Sequence, residues 1–233
     1  MSNIFTFWEG PMPAYIKLCM QTWNFPYTML NYDNLHDYTD LDAEKIKRFT
    51  LSKVADAVRA HVLRDHGGYW LDTDTIMITD KLPKTMVIGD PNSRTHTGGF
   101  LYAEKPGMDF FVDWSQYQDA VIEDLNCSSH WSVMINAFTN PYIGSHPEID
   151  IHPVRSCWPE TYMIPGDVPR YAKYNQFYFN SSYFLSGLEP TDMLMLHNSW
   201  TPDWYKRLDH DEVLTAGCTL SNILLELTER NKA

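Results

Sequence analysis

The sequence predicts an α/β fold with a mostly parallel central sheet flanked by helices. Three observations carry that expectation. Short apolar stretches, Ile4–Trp8, Tyr27–Tyr32 and Tyr69–Leu71, read as buried strands. Between them run segments whose apolar residues recur at spacings of three and four, so that strand, helix, strand, helix, strand is complete by Ile78. Finally, ligands in open parallel sheets gather beyond the carboxyl ends of strands, and Trp8 and Asp72–Asp74 fall at such ends.

In chain order, Ile4–Trp8 is the first strand and Glu9–Pro13 the turn after it. Pro13 suits the first position of a helix through Trp23, with Tyr15, Leu18, Cys19 and Thr22 on one side. Leu51–His66 is an amphipathic helix by the spacing of Leu51, Val54, Ala55, Val58 and Val62. Gly67 and Gly68 can end it in the left-handed conformation that a Cβ disfavours. Met86–Gly89 and Gly99–Tyr102 are further strands, with the polar Pro91–Thr97 turning between them. Gly107–Glu123 is a helix, and Ser128 or Ser129 caps another through Phe138. Asn140–Phe184, rich in Pro, Tyr and short polar turns, reads as irregular structure with short strands. Met193–Leu196 is a strand, and Val213, Gly217, Leu220, Leu224 and Leu227 place one amphipathic helix at the C-terminus. No repeat, linker or low-complexity tract interrupts residues 1–233, so a single domain is expected.

Composition narrows the function. A formal charge of −12 disfavours nucleic acid or a broadly anionic surface as partner, since either calls for a basic face. The four cysteines, Cys19, Cys127, Cys157 and Cys218, have no metal-ligand spacing, and reduced thiols in a cytoplasmic protein are the expectation. Neither a signal peptide nor a membrane-spanning helix is expected from the apolar runs. The C-terminal helix is amphipathic enough to lie at a membrane, where a lipid-linked acceptor would be met. Its acidic residues Glu212, Glu226 and Glu229 favour packing against the domain instead.

The chemistry concentrates in Leu51–Ile78. Asp72 and Asp74, at i and i+2 of an extended segment, project to one side, a geometry suited to a hard divalent cation that bridges to phosphates. The bland alternative is a strand-end turn in which each Asp accepts local backbone bonds. Asp56 and Arg59 share a helix face, either as a simple ion pair or as ligands for sugar hydroxyls and phosphate. Trp8 serves the core or stacks on a base. Asp90, Asn92, Thr97, Gly98 and Gly99 lie where acceptor and donor sugar contacts could occur, but turn formation explains Asp90-Pro91-Asn92 as well and is favoured. His197-Asn198-Ser199-Trp200 is the second informative segment, because neutral imidazole can bind a cation such as Mn²⁺.

Asp56, Arg59, Leu63, Gly67, Gly68, Tyr69, Trp70, Asp72 and Asp74 together resemble the nucleotide-sugar-binding core of capsular polysaccharide synthesis proteins and the related DxD-motif glycosyltransferases, similar to glycosyltransferase family 32. That wider group takes in yeast-type mannosyltransferases and, more distantly, the large clostridial toxins. Phe7–Pro11, Lys17-Leu18-Cys19 and Trp23 resemble the family's opening, and the likeness becomes patchy after Leu82. The resemblance implies a GT-A-like domain that moves a hexose, with retention of configuration, from a nucleotide-diphosphate sugar to a glycan or lipid-linked saccharide. It further implies Mn²⁺ or Mg²⁺ as cofactor, with a UDP-sugar favoured over a GDP-sugar. By the same resemblance Asp72 and Asp74 are catalytic: Asp74 binds the cation directly, Asp72 contacts the ribose and approaches the cation, and His197 is the third ligand. Trp8, Gly10, Asp56, Arg59, Asp72, Ser199 and Trp200 hold the donor. The setting is cytoplasmic, compatible with peripheral association at the membrane's inner face. Two rivals stand beside it. One is a haloacid-dehalogenase-type phosphatase, whose motif wants Thr or Val where this chain has Ile76. The other is a non-catalytic nucleotide-sugar-binding module, which predicts a broken set of acids and arginine.

Overall fold

A computed structural model of the chain describes residues 3–124 and 133–230. In chain order its elements are β1 (Ile4–Phe7), α1 (Ala14–Gln21), β2 (Thr28–Leu30), α2 (Ala43–Ile46), α3 (Leu51–His66), β3 (Gly68–Leu71), β4 (Thr75–Met77), β5 (Val87–Asp90), β6 (Thr95–Ala103), α4 (Asp109–Glu123), α5 (Asn136–Ser145), β7 (Ile151–Pro153), α6 (Glu160–Met163), α7 (Arg170–Phe179), β8 (Met193–Met195), α8 (Asp203–Lys206), α9 (His210–Thr215) and α10 (Thr219–Arg230). They segregate into two compact units. One comprises Met1–Gly10, Pro26–Asp72 and Pro83–Pro153, and the other Pro11–Phe25, Thr73–Leu82 and Val154–Ala233.

The first unit is α/β. Its six strands lie in the order β2-β1-β3-β6-β5-β7. β1 pairs in parallel with both β2 and β3, and β5 with β7, so the sheet is mostly parallel as expected. The exception is β6, antiparallel to β3 and to β5. It returns through a tight turn in which Asp90 Oδ1 accepts the Asn92 N–H at 2.9 Å and Oδ2 accepts the Ser93 hydroxyl at 2.8 Å. The turn reading of Asp90-Pro91-Asn92 therefore holds. Arg94 then donates to the carbonyls of Ile143, His146 and Ile149, satisfying groups at and beyond the end of α5.

Helix α3 keeps the expected bounds, but its burial differs from a one-faced amphipathic helix. Leu51 is 49% exposed, whereas Lys53, Asp56, Arg59 and His61 are buried alongside Val54, Val58 and Val62. Polar side chains can enter because the helix is covered by β1, β3 and β6 and by α4, and because they find partners there. The fully buried Gln118 on α4 donates to the Asp56 carbonyl at 2.8 Å and to the Met134 carbonyl at 2.7 Å. Each buried Val contributes roughly 1.5–3 kcal/mol, which helps offset the cost of drawing charges inside.

Gly67 and Gly68 end the helix with φ of 63° and 89°. The requirement at Gly68 is also steric: a Cβ there would lie 2.3 Å from the Asn3 carbonyl oxygen, which accepts the Tyr69 N–H at 2.8 Å. The glycine pair thus lets the chain reverse into β3 against the start of β1.

The second unit holds the antiparallel pair β4–β8, with Ile76 opposite Leu194, and helices α1 and α6–α10. The C-terminal region is two helices where the spacing suggested one. Gly217 takes φ 71° between α9 and α10, and Asp209 starts α9 with a capping box to Glu212. The apolar face of α10, Leu220, Ile223, Leu224 and Leu227, is buried against α1, α7 and α9. Asn140–Phe184, expected to be irregular, contains the ten-residue helix α7. The cap expected at Ser128 or Ser129 lies outside the described residues, and the helix ascribed to it is Asn136–Ser145. Among the described residues no helix is long and apolar enough to cross a membrane.

Candidate functional site

Parallel pairing sets Phe5 opposite Trp70, so β1 and β3 end side by side and present Trp8 and Asp72 just past their carboxyl ends. The Asp72 N–H is anchored on the Gly99 carbonyl at 2.9 Å. Its carboxylate Oδ1 accepts from the Trp70 indole N–H at 2.8 Å and from Arg59 Nη2 at 3.2 Å. The Oδ2 atom has no hydrogen bond among the described residues, and the side chain is 34% exposed. Among the described residues one oxygen is thus held and the other has no partner.

Arg59 is spent on the protein itself. Its Nε donates to the Ala55 carbonyl, Nη1 to the Gly98 carbonyl, and Nη2 reaches Asp56 as well as Asp72, both at 3.2 Å. The guanidinium also lies 5.1 Å from the centre of the buried Trp70 ring. Gly98 admits this approach: a Cβ there would stand 2.8 Å from Arg59 Nη1 and 2.5 Å from Ile135 Cδ1. His96 supports the same turn. Its Nδ1 accepts the Gly98 N–H at 3.1 Å, and its Nε2 pairs with the Thr139 hydroxyl. Burial, then the charge of Arg59, depress the His96 pKa to about 3, so its ring is neutral. Asp56 behaves oppositely. Desolvation lifts its carboxyl to about 7 despite Arg59, with the Asp72 charge adding to the rise. Asp56 and Arg59 therefore stand behind Asp72 as its support.

Trp8 follows β1, with its N–H on the Leu30 carbonyl and its indole N–H on the Gly10 carbonyl at 3.1 Å. Gly10 takes φ 82°, which folds the chain back so that its carbonyl can meet the indole. Among the described residues no other aromatic ring packs on the Trp8 ring, and the residue is partly exposed.

The second unit carries the rest of the predicted set. Asp74 Oδ2 accepts the Asn198 N–H at 2.8 Å, and the Leu196 N–H bonds the Asp74 carbonyl, tying the acid to the segment after β8. The Tyr15 hydroxyl donates to the Asn198 side-chain oxygen. Burial first, and Asp74 second, raise the Tyr15 pKa, so it stays a phenol. Asn198–Trp200 forms a short 3-10 turn with Ser199 exposed. His197 packs on Trp200 at 4.1 Å between ring centres, and its Nε2 is 2.8 Å from Arg170 Nη2. Desolvation, with Arg170, depresses the His197 pKa to about 3. The expectation of His197 as a cation ligand thus meets an imidazole whose Nε2 is already engaged by a guanidinium.

For a hard cation the donor chemistry fits at Asp72, whose second oxygen has no hydrogen bond among the described residues. Among the described residues no three His, Cys, Asp or Glu side chains group closely enough to hold a metal ion by themselves.

Sequence reasoning did not single out Trp70 as a hydrogen-bond donor, nor His96, Tyr15, Glu160 or Arg170. For Trp70 a signal existed: i and i+2 of a strand share a side, so its indole could be expected near Asp72. Tyr15 and Arg170 meet Asn198 and His197 from far off in sequence, and His96, though it bonds Gly98 two residues on, carries no local pattern, nor does Glu160.

A family model described as "Capsular polysaccharide synthesis protein" matches residues 1–148. No curated protein matches the chain.

Proposed function

The chain belongs to the capsular polysaccharide synthesis protein family, and from that premise we propose that it is a metal-dependent, retaining glycosyltransferase using a nucleotide-diphosphate sugar. A UDP-sugar is favoured as donor, and a glycan or lipid-linked saccharide as acceptor. The observation that carries the reading is Asp72, held at a strand's carboxyl end by Arg59 and Trp70 with its second oxygen open. Two donors hold its Oδ1, its N–H is anchored on the Gly99 carbonyl, and among the described residues Oδ2 has no hydrogen bond.

Asp72 and Asp74 are the proposed cation-holding acids. Their carboxylates are hard oxygen donors of the kind that would hold Mn²⁺ or Mg²⁺. The cation supplies Lewis-acid stabilisation of the diphosphate's developing charge. The chain's own contribution is placement. Arg59 orients Asp72, Trp8 and Gly10 form the platform proposed for the base, and Ser199 and Trp200 are the proposed donors to the diphosphate. In a same-face displacement the acceptor hydroxyl bonds the anomeric carbon as the diphosphate oxygen leaves. The hydroxyl proton passes to that leaving oxygen, so no protein base is required. The rate enhancement then comes from positioning and preorganised charge.

Incubation of the full chain with a panel of UDP- and GDP-sugars and Mn²⁺ tests this. Slow donor hydrolysis releasing a nucleoside diphosphate is expected. It should fall by about 100-fold or more in Asp74→Ala, the scale of losing electrostatic stabilisation of a leaving group. Phosphate release from a phosphomonoester, with no nucleotide released from any donor, would replace this reading with the phosphatase.

A further inference from the structure

The buried charge pair at the start of α6 and α7 is not used by the reaction as proposed. Glu160 is fully buried, and its Oε1 accepts from Arg170 Nε at 3.0 Å and from Arg170 Nη2 at 2.9 Å. The Arg170 guanidinium carbon lies over the Trp158 ring, 3.2 Å from its centre, and 5.4 Å from the centre of the Trp200 ring. So clamped, Arg170 points Nη2 at His197 Nε2, 2.8 Å away.

Arginine can only donate hydrogen bonds. Nε2 must therefore accept, which excludes a proton on that atom, and a neutral imidazole then carries its single proton on Nδ1. Nδ1 has no partner among the described residues, and it is absent from the buried polar atoms left without one, so the atom is not sealed from solvent. A metal ion could bind Nε2 only by displacing Arg170 from Glu160's side of the clamp, and Nδ1 only after losing that proton.

We propose that Glu160 and Arg170 are positioning residues that lock His197 as an Nδ1–H donor for an anionic oxygen, the diphosphate of the donor, and that His197 is not a cation ligand. The ligand half of this rests on the nucleotide-sugar reading above; the tautomer half does not.

Long-range ¹H–¹⁵N spectra of the histidine-labelled full chain without ligand read the tautomer directly. The Nδ1–H form is expected for His197 at neutral pH. The Nε2–H form should gain ground in the double variant Arg170→Met/Glu160→Gln, which removes both charges and leaves none buried alone. A wild-type His197 in the Nε2–H or doubly protonated form overturns the inference. With UDP and Mn²⁺ bound, electron spin-echo spectra of the Mn²⁺ should show no coordinated nitrogen. UDP affinity should drop about tenfold in His197→Ala, the scale of one charge-assisted hydrogen bond, and recover in His197→Asn, whose amide N–H overlies Nδ1. A coordinated nitrogen in the spectrum overturns the donor role. Failure of the wild-type chain to bind UDP instead overturns the nucleotide reading and the assigned acceptor, leaving the tautomer result standing.

Discussion

Asp56 shows how one residue can be made expensive for the sake of another. Its carboxyl sits in the interior because Arg59 must reach Asp72 from behind, and the helix spacing that pairs 56 with 59 puts the acid there too. Its folded-state pKa of about 7 lies above the ordinary value of 3.8. The folded chain therefore binds a proton more tightly than the unfolded one, and this group's contribution to stability falls as pH rises through that window. Asn at position 56 cannot titrate. The loss of unfolding free energy between about pH 5 and pH 8 should accordingly be smaller in Asp56→Asn than in the native chain, by roughly 2–3 kcal/mol. Urea melts at the two pH values read it, and parallel pH dependences would contradict the buried carboxyl.

At the scale of elements, the turn from α3 into β3 is the junction on which the Asp72 site depends. Gly68 has a positive φ and no space for a Cβ beside the Asn3 carbonyl. Gly68→Ala should destabilise the chain by about 3 kcal/mol, since it combines a left-handed backbone with a backbone clash. The midpoint of thermal unfolding measures this; an unchanged midpoint would mean that the turn relaxes freely. This junction was legible beforehand, because a glycine pair after a helical repeat is a local signal. The break between α9 and α10 was not read, although Gly217 marks it, because the apolar spacing continues across the glycine. Helix α7 was missed for a related reason: aromatic residues such as Tyr174, Phe177 and Tyr178 favour strands locally, and only packing selects the helix.

For the whole molecule, the proposed activity implies a thermodynamic linkage that needs no turnover. A ligand present at about 100 times its Kd stabilises the folded state by about 2.7 kcal/mol. For a chain of this size that corresponds to a melting-temperature rise of roughly 5–10 °C. UDP with Mn²⁺ should produce it and excess chelator should abolish it, whereas an equal rise with an unrelated phosphomonoester would point to the phosphatase. The sequence by itself determined the α/β class, the bounds of α3, the glycine turn, the strand ends carrying Trp8 and Asp72, and the family, because each is written in neighbours a few residues apart. Tertiary structure alone decided that Asp56 and Arg59 face inward as support, that β6 runs against its neighbours, and that Arg170 from a segment read as irregular reaches His197. Those outcomes depend on which distant strand or side chain becomes the partner, and no local periodicity encodes it.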